Sequence, residues 1–179
     1  FSPTKLDNAT ILLTHCETYI EKLNNLKLSK REARRIGFPV SENLILREHV
    51  IAQGTLMGCE YALSNGIAFN IAGGTHHAFF DRGEAFCLLN DQAIAANHLL
   101  HTKKASKILI IDLDVHQGNG TAALFENNPH VFTFSMHGKA NYPFQKERSD
   151  LDVALPDNTD DESYLKLLEK HLGDLFERV

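Results

Sequence analysis

A chain of 179 residues with 43% hydrophobic and 23% charged residues has the size of one globular domain, and its net charge of -5 leaves no basic footprint for nucleic acid. No apolar run approaches the roughly 20 residues that span a bilayer, and Phe1-Ser2-Pro3-Thr4 lacks the basic and apolar regions of a signal peptide. The cysteines Cys16, Cys59 and Cys87 are odd in number and form no C-x-x-C pair, which suggests reduced thiols in a soluble, cytoplasmic chain.

From Thr4 to Leu26, apolar residues at mainly helical spacing predict one helix. Ser29-Lys30-Arg31-Glu32 has the form of a capping box and opens a short helix ending near Gly37. Ser41 can cap the next helix, which runs to Asn65 with Gly66 as its stop. Ile67-Ala68-Phe69-Asn70-Ile71 reads as a buried strand that empties into a loop at Gly73-Gly74. A helix over 86–102 is expected next, then a strand over 107–112, a short helix near Thr121–Glu126 and a strand at Val131–Ser135. Asp150–Leu155 looks like an edge strand, and Thr159-Asp160-Asp161-Glu162 like a second capping box before an amphipathic helix. The order predicts an α/β fold, an open parallel sheet with helices on both faces. In such folds ligands bind outside the carboxyl ends of the strands, where the polar loops 73–86, 112–120 and 135–148 emerge.

At one such end, Ile108-Leu109-Ile110-Ile111 runs into Asp112-Leu113-Asp114-Val115-His116. In extended chain, alternate residues share a side, so Asp112, Asp114 and His116 can project together. Two carboxylates and an imidazole suit a zinc-type cation, whose catalytic form takes three protein ligands and one open position. A strand end with solvated acids is the plainer alternative. Gly73-Gly74-Thr75-His76-His77-Ala78 brings two imidazoles to another strand end, the side chains best suited to proton transfer near neutral pH. Gln117-Gly118-Asn119-Gly120-Thr121 could cradle phosphate at a helix N-terminus, although it lacks the lysine of a Walker A loop. Alternatively, Asn119 could orient an imidazole. A magnesium phosphatase with a strand ending in Asp-x-Asp is a rival reading, but it leaves His76, His77 and His116 unused.

These motifs, with Phe86-Cys87-Leu88-Leu89-Asn90-Asp91 between them, resemble in order and spacing the zinc-dependent histone deacetylase family, from about Ser29 onward. Asp81-Arg82-Gly83-Glu84 and Asn141-Tyr142-Pro143-Phe144 are most similar to its class IV group and bacterial relatives. The resemblance implies an arginase/deacetylase-like fold and hydrolysis of acyl-lysine, or of small acylamides such as acetylpolyamines. It makes Asp114 and His116 ligands of one Zn2+, and Asp112 a supporting carboxylate, so the three-ligand reading shrinks to two. His76 and His77 match the tandem catalytic histidines, with His76 expected against Asp112 and His77 against Asn119. Phe86 and Tyr142 match the walls of the acyl-lysine tunnel.

Ala85 stands where the family's usual glycine precedes the tunnel phenylalanine. A structural K+ or Na+ is implied at Asp112, Asp114 and His116 with Ser135 and Met136, and a second at Phe125, Asn128, Val131 and Leu151. Asn119 replaces an aspartate found in many members. The chain begins without methionine and closes at Glu177-Arg178-Val179 within a helical pattern, so 1–179 reads as a single deacetylase-like domain cut at both ends. The family's last zinc ligand and its tyrosine follow the final helix, so the chain alone is expected to be inactive. The alternative from another class is a degenerate module that binds acyl-lysine without cleaving it. Neither nucleic acid nor membrane is an expected partner, and the sequence is silent on oligomeric state.

Overall fold

The computed structural model describes residues 2–178 and divides after Ala105 into two compact units. The first unit is helical. Helix α1 spans Asn8–Ile11, α2 Glu17–Asn24, α3 Lys30–Ile36, α4 Glu42–Asn65 and α5 Asp91–His101. Buried residues of these helices and of the segments beside them, among them Leu6, Ile11, Ile20, Leu23, Ile36, Ile45, Leu56, Leu88 and Ile94, form one apolar core.

The single helix expected over 4–26 is instead two. The turn between α1 and α2 is held by tertiary bonds that outweigh helix continuation: Cys16 N–H donates to the Phe80 carbonyl at 2.8 Å, and the buried His15 ring bonds to Phe79 and Asn90. The capping box of α3 forms as expected, with Gly37 closing the helix at φ 86°. Ser41 caps α4 by accepting from Leu44 N–H at 3.2 Å.

Residues 67–71 do not form the buried strand predicted for them. Ile67 and Phe69 are 64% and 80% exposed and Ile71 is fully exposed, and among the described residues no strand pairs with them. A strand needs a ladder partner; without one, the Asn70 side chain organises the chain, donating to the Ile51 carbonyl and accepting from Ala72 N–H. The next helix also starts later than position 86. Ala85 and Phe86 sit at φ 43° and 68° and donate to the carbonyls of Arg35 and Ile36, so α5 begins only where the Asn90 side chain accepts from Ala93 N–H.

The second unit carries β1 (Ile108–Asp112), α6 (Asn119–Phe125), β2 (Val131–Gly138), β3 (Leu151–Leu155) and α7 (Asp161–Arg178). The three strands form a parallel sheet in the order β1-β2-β3, with Asp112 opposite Ser135 and Phe134 opposite Leu151. Strand β2 extends to Gly138, beyond its expected end at Ser135, and α6 begins at Asn119, before the expected Thr121. Phe134 and Met136 alternate onto the face that packs with Leu168, Leu172 and Leu175 of α7. That helix is capped by Asp160, whose carboxylate accepts from Ser163 N–H at 2.7 Å. Thr159, expected as the cap, instead donates its hydroxyl to the Pro156 carbonyl.

Candidate functional site

In the helical unit, the loop after α4 turns at Gly73 and at Gly74, which has φ 96°. Asn90 and Asp91, at the start of α5, hold this loop. The Asp91 carboxylate accepts from Gly74 N–H at 3.0 Å, Thr75 N–H at 2.7 Å, the Thr75 hydroxyl at 2.7 Å and the Thr55 hydroxyl. Asn90 donates its side-chain N–H to the Ala78 carbonyl at 3.1 Å. Between these anchors His76 and His77 are buried, with ring centroids 4.1 Å apart.

His15 lies behind them. Its Nδ1–H donates to the Phe79 carbonyl at 2.8 Å while Nε2 accepts from Asn90 N–H, which fixes the neutral tautomer. Burial depresses its pKa to about 4. Phe86 is 59% exposed and packs against Phe38 with the ring centroids 4.9 Å apart and the planes tilted by 55°, so it lies outside the core. Arg82 of the Asp81–Glu84 motif lies 3.6 Å over the Phe79 ring and pairs with Asp81.

In the sheet unit, β1 ends at Asp112 and the chain leaves by two successive turns made by its own carboxylates. Asp114 N–H donates to Asp112 Oδ1 at 3.0 Å, and His116 N–H to Asp114 Oδ1 at 2.8 Å. The alternate spacing therefore works through side-chain turns rather than a continued strand. The Asp114 oxygen also accepts from His116 Nδ1–H at 3.0 Å; both side chains are substantially exposed, while Asp112 is buried. Leu113 and Val115, which alternate with them, are exposed.

Asn119 is buried at the N-terminus of α6. Tyr142 is half-buried, with its ring edge-on to His116 at 6.2 Å. Ser135 and Met136 are buried in β2, Ser135 beside Asp112 in register. Phe125, Asn128 and Val131 are linked by two successive turns, in which Asn128 N–H donates to the Phe125 carbonyl and Val131 N–H to the Asn128 carbonyl; Leu151 opens β3.

Thus His76 and His77 come together in one unit, and Asp112, Asp114 and His116 in the other. The expected pairings of His76 with Asp112 and His77 with Asn119 each take one residue from each unit, so they rest on the resemblance alone. The carboxylate and imidazole of Asp114 and His116 are donor types that fit zinc, but among the described residues no three His, Cys, Asp or Glu side chains gather as a metal-binding group. The sequence assigns Gln117 no role of its own, yet its fully buried amide donates to the Glu147 carbonyl and to Asp152, tying the Asp112–His116 loop to the segment after Tyr142. Its place between His116 and Gly118 was the only signal. Among the described residues no helix is long and apolar enough to cross a membrane.

Comparison with known proteins supplies what geometry alone does not. The histone deacetylase domain matches residues 1–179, so the likeness takes in the first 28 residues, where the motifs had shown none. An uncharacterized protein of Picosynechococcus sp. is 46% identical over all of this chain and 60% of its own length. Histone deacetylase 2 of Arabidopsis thaliana is 30% identical over 95% of the chain and 46% of its own, and the acetoin utilization protein AcuC of Bacillus subtilis 30% over 80% and 39%. The chain thus spans about half the length of these relatives.

A crystal structure of an HDAC homolog from Aquifex aeolicus superposes with a TM-score of 0.84 at 28% identity, over 98% of this chain and 53% of that one. A crystal structure of an HDAC homolog complexed with SAHA gives the same values. The open parallel sheet with its helices is accordingly the arginase/deacetylase fold. With the domain match running the length of the sequence, the chain belongs to the histone deacetylase domain family.

Proposed function

We propose that the full-length protein is a zinc-dependent amide hydrolase that removes acetyl or other acyl groups from lysine side chains, or from small acylamides. The observation that carries this reading is the pair of buried imidazoles, His76 and His77, 4.1 Å apart on a loop whose backbone is fixed on both sides. In this reading residues 1–179 are part of one deacetylase-like domain, of the class IV and bacterial type, working in the cytoplasm. The reduced thiols of Cys16, Cys59 and Cys87 are compatible with that compartment.

Asp114 and His116 are the zinc ligands this segment offers, and a third comes from outside it. When bound, zinc supplies Lewis acidity that polarises an acyl carbonyl and acidifies a water. His77 accepts the proton of the attacking water on a ring nitrogen, and His76 holds a proton for the leaving amine, so the products are an amine and a carboxylate. Asp112 supports His76 and, with Asp114, His116, Ser135 and Met136, a structural K+ or Na+; Asn119 orients His77; Phe125, Asn128, Val131 and Leu151 hold a second cation. Ala85, Phe86 and Tyr142 line the acyl-lysine tunnel, which accords with the exposure of the Phe86 ring.

Residues 1–179 by themselves are inactive in this reading. The test is hydrolysis of an acetyl-lysine peptide by the full-length protein and its His77→Ala variant. Turnover that His77→Ala abolishes, with zinc content retained, supports the enzyme. Peptide binding with neither zinc nor turnover in the full-length protein indicates a binding module instead.

A further inference from the structure

Two adjacent residues at the start of α5 grip the histidine loop on either side of the imidazoles. In front of them, Asp91 accepts from the N–H groups of Gly74 and Thr75 and from the Thr75 hydroxyl, and its own N–H donates back to that hydroxyl at 3.2 Å. Behind them, Asn90 donates to the Ala78 carbonyl, and the His15 ring joins Asn90 N–H to the Phe79 carbonyl. Asp91 is only 1% exposed, and Thr55, which donates to it, accepts in turn from Asn70 at 2.8 Å. A carboxylate taken out of water and given several N–H and O–H donors is a stiff anchor, because each bond broken leaves a buried polar group unpaired. The backbone from 74 to 79 is therefore tied to the end of a helix at four of its residues, with only His76 and His77 between the ties.

We infer that Asp91, acting through Thr75 and together with Asn90, is a positioning residue for the tandem histidines: it sets the direction in which both imidazoles leave the loop. The inference rests on the hydrolase reading for its consequence in catalysis, but its geometric content stands apart from that reading. Replacing Asp91 by Asn keeps the size of the side chain while turning one acceptor into a donor. Whichever way the amide is set, one of the N–H and O–H groups that now donate to it meets a donor.

The test compares Asp91→Asn, Thr75→Val and Thr75→Ser with wild type in the full-length protein. Two readouts are taken: steady-state hydrolysis of an acetyl-lysine peptide, and NMR titration of the His76 and His77 ring CH signals. A misplaced base loses rate rather than binding, so kcat is expected to fall about 10- to 100-fold in Asp91→Asn and Thr75→Val with KM within about threefold. The ring signals shift, and Thr75→Ser, which keeps the hydroxyl, recovers the rate that Thr75→Val loses. Unchanged kcat and unchanged ring signals in both Asp91→Asn and Thr75→Val overturn the inference, as does a failure of Thr75→Ser to recover the rate. If Asp91→Asn does not fold, the two Thr75 variants decide. If wild type hydrolyses nothing, the hydrolase reading fails and the ring signals alone decide whether Asp91 positions the histidines.

Discussion

A Cβ placed on Gly73 would lie 2.7 Å from the Asp91 carboxylate and 2.9 Å from the Thr55 hydroxyl. The loop that presents the histidines can therefore approach α5 only because this position has no side chain. Gly73→Ala should destabilise the protein by about 1–3 kcal/mol, since the atoms it meets are held by hydrogen bonds and cannot move without breaking them. The denaturation midpoint in urea measures this. A midpoint equal to wild type would show that the carboxylate yields easily.

Ala85 sits at φ 43° on a chain reversal pinned by its N–H to the Arg35 carbonyl. An L-residue in the left-handed region costs about 1–2 kcal/mol, which glycine does not incur, while glycine brings its own entropy cost of about 0.5–1 kcal/mol. Ala85→Gly should thus be neutral to stabilising by about 1 kcal/mol, read by thermal unfolding. A clear loss of stability would mean that the alanine methyl makes a contact outweighing the strain.

Glu48 is buried in α4 with its Oε2 lacking a hydrogen-bond partner, and burial raises its pKa from 4.5 to about 7 against the opposing pull of Arg47. Because the folded state holds this proton more tightly, stability falls as pH rises from about 4.5 through 7. His15 acts in the other direction. Its pKa is lowered from 6.5 to about 4, so its contribution is full above pH 6.5 and is lost as pH falls toward 4. Between about pH 4.5 and 6.5 the two slopes oppose each other. Glu48→Gln should therefore raise stability at pH 8 by about 2–3 kcal/mol and leave a curve that climbs with pH in the acid range. Chemical denaturation at a series of pH values checks both signs. A variant no more stable than wild type at pH 8 would show that Glu48 ionises there without penalty.

Asn119, buried at the head of α6, can orient a ring but supplies no charge. On the proposed pairing of Asn119 with His77, Asn119→Asp should raise the pKa of His77 and move the acidic limb of the pH-rate profile upward by about one unit, since a neutral base is lost as pH falls through its pKa. An unmoved limb would count against the pairing of these two residues.

Much of the architecture was legible because it is locally encoded. Ser29 with Glu32, Ser41 and Gly37 mark helix ends through side-chain caps and a left-handed stop, and the apolar runs before Asp112 and after His130 form paired strands. What misled was the segment whose fate depends on distant partners. Ile67–Ile71 has strand composition, but composition cannot supply a neighbouring strand, and Ile67, Phe69 and Ile71 stay exposed. The break between α1 and α2 is set by His15 and Cys16 bonding to residues 79, 80 and 90, far along the chain. The Asp112–His116 spacing signalled a shared site, but through turns closed by its own carboxylates, which periodicity does not reveal. The roles of Gln117 and Asp91 were equally hidden, since a buried amide or carboxylate declares itself only by its partners.

The activity proposed for the full-length protein is zinc-dependent hydrolysis using Asp114 and His116. The most direct measurement is the rate of acetyl-lysine peptide hydrolysis by the full-length protein, stripped with a chelator and titrated with zinc, beside the His116→Ala variant. The account predicts no turnover in the stripped protein, recovery to a plateau at one zinc per chain, and no such plateau in His116→Ala. A rate that survives chelation, or an undiminished zinc plateau in His116→Ala, would contradict it.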